Sequence, residues 1–196
     1  MQILHPFTGS VEQYLEQLSD PDQHRPAGCP QCRANRPLTA HGFYTRTLVD
    51  SAFDGLIRVR RYLCELCRRT VSLLPDFALP FLRFSITVIG LWLLARLLPP
   101  SPDRPAPLPM PYQRGQFWLR RFLARAPALC ATLSALAAPP AAPDFTQRAL
   151  AMLESAGWIR AHRFLFAGLR QHLLGWPPSL APTGRRLALD PSAAPA

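Results

Sequence analysis

The sequence predicts an α+β fold, in which a small β-hairpin module precedes an all-α region and a disordered tail. Three observations carry this. Residues 37–74 alternate apolar and polar side chains with the two-residue period of strands, enriched in β-branched and aromatic types. Residues 84–174 carry helical apolar stripes and capping residues. Prolines crowd into 99–111, 139–143 and 177–195 and punctuate the chain, which has 23 prolines in 196 residues.

The elements follow in order. Ser10 is placed to cap a short helix, with Gln13 at the capping-box position and Val11, Tyr14, Leu15 and Leu18 on one apolar face, stopping near Asp20 and Pro21. Residues 37–50 read as extended, with Gly42 as a break, and Asp54-Gly55 reads as a hairpin turn. In the strand at 56–63, Ile57 and Val59 take one face and Arg58 and Arg60 the other. A second extended piece, 70–74, ends at Pro75.

A buried helix is expected over 84–98. As a helix its 15 residues span about 22 Å, short of the roughly 30 Å of a bilayer core, and it carries Arg96, so it does not read as a membrane anchor. Helices are predicted over 112–126, with Phe117, Trp118, Phe122 and Leu123 as the buried stripe, and over 128–137. A long helical stretch, interrupted in propensity by Gly157 and Gly168, is predicted from Asp144 as N-cap to about 174. The corresponding units are 1–24 (N-terminal helix and lead-in), 25–78 (the hairpin module), 79–126 (a helix-turn-helix-like region), 127–176 (C-terminal helices) and 177–196 (tail).

The formal charge is +10, and all 22 basic residues are arginine. Residues 25–125 hold 16 arginines against five acids, a local charge of +11. Guanidinium binds phosphate bidentately and stacks on bases, so a polyanion, DNA first, is the expected partner. The opening residues lack a basic n-region and a long apolar h-region. A cytoplasmic, reducing location is therefore expected, nucleoid-associated if the protein is DNA-bound, and there paired cysteines favour metal over disulfides.

The pairs are Cys29-Pro-Gln-Cys32 and Cys64-Glu-Leu-Cys67, separated by 31 residues that contain the hairpin. Each Cys-x-x-Cys closes a knuckle offering two thiolates, and two knuckles complete a tetrahedron. One structural Zn²⁺ held by Cys29, Cys32, Cys64 and Cys67 is expected, in a zinc ribbon, with no coordination position left for catalytic water. A thioredoxin-like redox site would need one such pair in a βαβ context instead. His24 and His41 lie near the knuckles but are not required as ligands, and Cys130 reads as a buried core thiol.

Beyond spacing, the run Cys-Pro-x-Cys, His-Gly-Phe-Tyr-x-Arg and Arg-Arg-Tyr-x-Cys-x-x-Cys-Arg-Arg-Thr-x-Ser resembles the N-terminal zinc ribbon of bacterial insertion-sequence transposases. It is especially similar to a family of short, uncharacterised transposase-related proteins. The matching positions are Cys29, Pro30, Cys32, His41 to Tyr44, Arg46, Arg60 to Tyr62, Cys64, Cys67 to Thr70 and Ser72, within 29–98, with a weaker echo at 112–125. The resemblance implies a bacterial mobile-element protein whose ribbon and following helix-turn-helix bind DNA. The chain departs from that pattern at 99–111, where a proline-rich stretch replaces a short middle helix and tight turn.

The expected DNA contacts are of two kinds. Arg58, Arg60, Arg61, Arg68 and Arg69 flank the knuckle and would meet phosphates. Gln113, Arg114 and Gln116, with Arg120 and Arg121 on the same helix, would sit on a recognition helix. Catalysis is not expected: beyond the helix-turn-helix-like region only Asp144, Glu154 and Asp190 remain as carboxylates, and transposase chemistry requires a carboxylate triad for its metal ions. No small-molecule substrate is expected. The alternative reading is a zinc-ribbon module for protein–protein contact, its apolar helices docking on a partner or on a second copy.

Overall fold

The computed structural model describes residues 1–17 and 22–175. Its elements are β1 (Gln2–His5), α1 (Val11–Glu16), β2 (Thr39–Asp50), β3 (Phe53–Cys64), β4 (Arg69–Pro75), α2 (Ile86–Leu97), α3 (Tyr112–Leu133), α4 (Phe145–Ala156) and α5 (Trp158–Leu169). The chain is therefore α+β, with a four-stranded sheet followed by helices. The tail expected to be disordered, Trp176 and the expected helix stop at Asp20 and Pro21 lie outside the described residues, as does Leu18.

The sheet order is β1-β4-β3-β2. β2–β3 and β3–β4 pair antiparallel, as short connections allow, whereas β1 pairs parallel with β4. The lead-in is thus an edge strand of the same sheet as the hairpin rather than a separate unit. Four residues are too few for a two-residue period to announce a strand. The hairpin turns at Ser51-Ala52, between Asp50 and Phe53, and Asp54 and Gly55 lie inside β3 opposite Val49 and Leu48. The Asp-Gly signal was therefore displaced: Leu48 and Val49 are both buried, and pairing the strands to their last residue keeps them in the sheet.

The sheet buries opposite faces at its two ends. Near the hairpin tip Leu48, Ile57, Val59 and Leu74 pack under Val11 and Tyr14 of α1 together with Phe7 and Phe77. Toward the knuckles Tyr62, Cys64, Val71 and Leu73 pack on the other face, under Leu38 and Cys29. The changeover occurs where β2 carries a bulge between Ala40 and Phe43, an extra residue that twists the strand. Two stretches of sheet surface are left without a packed layer: the outer hairpin face bearing Phe43, Thr45 and Arg58, and the knuckle-end face bearing Gln2, Arg61, Thr70 and Ser72.

α1 starts as expected, Ser10 accepting from Gln13 N and the Gln13 side chain accepting from Ser10 N. Ser85 caps α2 by accepting from Val88 N at 3.1 Å, and its hydroxyl also donates to the Asp50 carboxylate, which ties the helix start to the end of β2. α2 buries Ile86, Val88, Ile89, Leu93 and Leu94. Among the described residues no helix is long and apolar enough to cross a membrane.

Two helical expectations change. The segments expected over 112–126 and 128–137 merge into one helix, α3, which passes through Pro127 and ends at Leu133, four residues short of the expected stop. A proline removes one backbone hydrogen bond, but Pro127 is on the exposed side while Trp118, Phe122, Ala126, Leu129, Cys130 and Leu133 continue one buried stripe across it, so packing outweighs the break. That stripe centres on Trp118 and Phe122, leaving Phe117 and Leu123 partly exposed. Gly115 lies on the stripe because an added Cβ would stand 2.2 Å from the indole of Trp92 on α2. The stretch after Asp144, whose carboxylate accepts from Gln147 N at 2.8 Å, is two helices rather than one. Gly157, at φ +82°, separates them in a conformation that L side chains rarely adopt.

No helix lies between α2 and α3: residues 98–111 supply no middle helix, and their prolines remove the backbone donors one would need. α2 to α5 instead gather round one large core with Trp118 and Phe122 at its centre. A buried polar network joins this core to the sheet. Asp76, after β4, accepts from Phe7 N and from Arg163 of α5, and Arg163 also donates to the Phe7 carbonyl at 3.0 Å. His162 donates from Nδ1 to the Asp76 carbonyl at 2.8 Å, so the neutral ring accepts at Nε2 from His172 Nδ1 at 2.9 Å.

Candidate metal centre

Each knuckle is built the same way. After Cys29-Pro-Gln-Cys32, Arg33 takes the left-handed conformation at φ 61°, and its N–H donates to the Cys29 carbonyl at 2.9 Å. After Cys64-Glu-Leu-Cys67, Arg68 does the same at φ 55°, donating to the Cys64 carbonyl at 2.8 Å. The left-handed residue closes each turn so that both cysteines of a pair point to one side. The signal is legible in the sequence, as a Cys-x-x-Cys-Arg repeated in both knuckles, although glycine is the usual residue in that conformation.

The sheet brings the two knuckles together. β3 ends at Cys64 and β4 begins at Arg69, so the second knuckle is the β3–β4 turn. The first knuckle lies over it, Leu38 and Cys29 being buried against Tyr62 and Val71. The four sulfurs all lie within 4.8 Å of one another, with Cys29 to Cys67 and Cys32 to Cys64 at 3.7 Å. Sulfurs at about 2.3 Å from one ion in a tetrahedron stand about 3.8 Å apart, so these four could hold one metal ion of the kind that takes soft sulfur donors, zinc among them.

The Cys67 backbone N–H pulls the Cys64 thiol below its ordinary value, whereas burial pushes the Cys67 thiol up. Four thiolates in so small a volume repel one another, and a divalent ion is what allows all of them to stay deprotonated. His24 and His41 are not in the cluster, and the His24 ring rests against His5 at 4.3 Å. Cys130 is buried away from the cluster and donates to the Phe145 carbonyl at 3.3 Å, a core thiol as expected.

The arginines expected to flank the knuckle divide between the two faces. Arg58 lies exposed on the outer hairpin face, 4.1 Å over the Phe43 ring. Arg60 is 9% exposed and is committed to Asp22, with its Nη2 at 2.6 Å. Asp22, shared by Arg60, Arg25 and the Tyr62 hydroxyl, is held well below the usual carboxylate range by those donors, Arg60 first. Asp22 precedes the knuckle by seven residues, and nothing in its sequence surroundings marks it as a partner for β3. Arg61 points to the opposite face from Arg58, and its Nε is buried. Arg68 is exposed beside Glu65 at 2.6 Å, and Arg69 is exposed at the start of β4. Arg33 and Arg36, not among the expected contacts, are exposed beside the first knuckle.

The residues expected on a recognition helix begin α3. Gln113 and Arg114 are exposed, the latter 5.2 Å over Phe84, and Gln116 is half-buried. Arg120 is exposed and donates to the Gln116 carbonyl, whereas Arg121 is half-buried and donates to the Leu174 carbonyl at 2.9 Å.

No curated protein and no solved structure matches the chain. A family model described as a domain of unknown function (DUF6431) matches residues 29–96, about a third of the chain: both knuckles, the hairpin and most of α2 are similar to that family.

Proposed function

We propose that this is a non-catalytic DNA-binding protein, related to transposases, whose sheet end is held by one structural zinc ion. The observation that carries the reading is the distribution of exposed guanidinium around the four-cysteine cluster. Arg33, Arg36, Arg68 and Arg69 ring the knuckles, and Arg58 extends the basic surface along the hairpin, stacked on Phe43. Glu65, the acid within the second knuckle, is taken by Arg68. Such a surface presents forked donors to successive phosphates without reading bases, and Gln113 and Arg114 at the exposed start of α3 would add base-edge contacts. Four sulfur ligands close the sphere, so the ion orders the knuckles rather than activating water. A non-catalytic role fits the carboxylates: Asp144 is occupied as a helix cap and Glu154 faces Arg104 at 3.9 Å.

The test is a salt titration of binding to random duplex DNA, with and without a zinc chelator. The expected result is a log K that falls by about 0.9 per phosphate neutralised and is lost on chelation. Absent or salt-insensitive binding by the folded, zinc-loaded protein overturns the reading. A second reading, a protein-docking ribbon, is favoured by Leu66, 73% exposed at the second knuckle. It predicts association that survives high salt.

A further inference from the structure

The knuckle-end face of the sheet that carries no packed layer forms the floor of a cavity of about 460 Å³. Gln2, Ser72 and Arg61 lie directly opposite one another across β1, β4 and β3, and so line up in one row. The segment after β4 forms the facing wall with Phe81, Leu82 and Arg83. Arg46 fixes that wall in place, donating to the carbonyls of Leu79, at 3.0 Å, and Leu82. Three guanidinium groups, those of Arg46, Arg61 and Arg83, therefore line one cavity, and no carboxylate lines it. Arg83 is held from outside by Asp54, at 2.6 Å. Arg61 Nε and Gln2 Oε1 are sealed from solvent with no hydrogen-bond partner among the described residues. Both atoms lie beneath the surface that a water-sized group reaches, so what the cavity offers an anion is the positive charge of the guanidinium side chains around it and not these two atoms.

The mouth adds a second feature. Phe81 is 74% exposed and is held at φ 63°, a left-handed conformation unfavourable for an aromatic residue. Its ring borders this cavity and also the neighbouring one, lined by Arg114, Phe117 and Trp118. An exposed ring beside a cationic cavity is a stacking platform for a planar heterocycle.

The geometry points to a nucleotide-phosphate site: the phosphate enters the cavity against Arg61, Arg46 and Arg83, with the Ser72 hydroxyl at its floor, and the base rests on Phe81. This goes beyond the knuckle and hairpin arginines proposed to meet DNA phosphates, which lie away from the Arg61 face of β3, and it holds whichever way the DNA titration falls. The phosphate can come from a free nucleotide or from a nucleic-acid strand, and the experiment separates the two.

Calorimetric titration of the zinc-loaded full chain uses inorganic phosphate, dAMP, and a hexanucleotide with a 5′-phosphate or a 5′-hydroxyl. The expected result is that dAMP binds at least about tenfold more tightly than phosphate, because the stacked base adds to the phosphate contacts. Arg61→Met should weaken both at least about tenfold, the scale of one charge-assisted hydrogen bond. Phe81→Gly, which also relieves the left-handed backbone, should erase only the dAMP advantage. A 5′-phosphorylated hexamer tighter than dAMP and than its 5′-hydroxyl twin assigns a strand end. Two hexamers alike, and tighter than dAMP, assign an internal phosphodiester. Hexamers no tighter than dAMP assign the free nucleotide. Should Arg61→Met not fold, as judged by zinc content and circular dichroism, Arg83→Met repeats the test at an exposed side chain. No heat with any probe at millimolar concentration, or wild-type affinity in the folded arginine variant, overturns the site.

Discussion

The sheet half and the helical half bury their apolar residues by different means. The helices share one core of 22 buried residues, large enough to be held by packing alone, with Trp118 and Phe122 at its centre. The knuckle end of the sheet has a cluster of six, two of which are the cysteines Cys29 and Cys64. Six residues bury too little surface to offset the backbone entropy of ordering two knuckles and the strand ends between them. What the helices obtain from area, the knuckles could obtain from a metal ion held by the four clustered cysteines. The comparison teaches where the chain is sensitive to chemistry and where it is sensitive to shape.

The largest effect that would break this contrast is removal of the metal ligands. Cys64→Ser, or chelation, is expected to cost on the order of 10 kcal/mol of ion binding and to unfold the knuckle end. Trp92, Trp118 and Trp158 all sit on helices and report on the other half. Hydrogen exchange should show lost protection in β3 and β4 around residues 62–71 with tryptophan emission unchanged. Concerted loss of both halves would show that the helical core depends on the metal too.

Trp118→Ala tests the opposite half. Deleting a fully buried indole should cost about 3–5 kcal/mol in urea unfolding. Zinc stoichiometry should remain at one. A variant that releases its metal would tie the two halves together.

Acid acts at the joint between them. Burial holds His162 down to about 4 and His172 down to about 3, below the ordinary value near 6.5. The folded pKa values are depressed, so the unfolded chain binds more protons between those values and about 6.5, and stability must fall as pH falls through that window. Each histidine contributes a slope of up to about 1.4 kcal/mol per pH unit. The Arg170 charge near His172 pushes the same way. Asp76, pushed above its ordinary value by burial, opposes the slope near its acid end. Urea midpoints measured from about pH 7.5 to about pH 5 should decline, and a flat profile would remove the pair from the joint.

The smallest expected effect is a gain. Arg68→Gly replaces a residue at φ 55° with one that adopts it without strain, and should stabilise the knuckle by about 1 kcal/mol, the exposed pair with Glu65 being worth little. A chelator competition assay should show tighter zinc retention, and weaker retention would mean that the arginine side chain itself supports the site.

Much of the site was legible because it is local. Two Cys-x-x-Cys pairs flanking an alternating hairpin announce four sulfurs on one ion, since each pair is set by its own turn and the hairpin brings them together. The caps at Ser10 and Asp144 were legible for the same reason, each acting on a backbone N–H three residues on. The hairpin turn was not, because Asp-Gly is only a preference and the buried register of Leu48 and Val49 outweighs it. Nor was the continuity of α3 through Pro127, where a penalty at one residue is set against a stripe that runs on to Leu133.

By itself, then, the sequence determined the α+β class, the clustering of four cysteines, the basic character of the chain and the chief helical segments, all of which rest on spacing within a few residues or on composition. Only the tertiary structure decided that β1 joins the sheet through β4, that Arg60 is taken by Asp22 while Arg58 stays exposed, and that Arg46, Arg61 and Arg83 line one cavity. The physical reason is common to all three. Strand partnership and guanidinium pairing are settled by which groups meet across 15 to about 70 residues of chain, and no local period records those meetings.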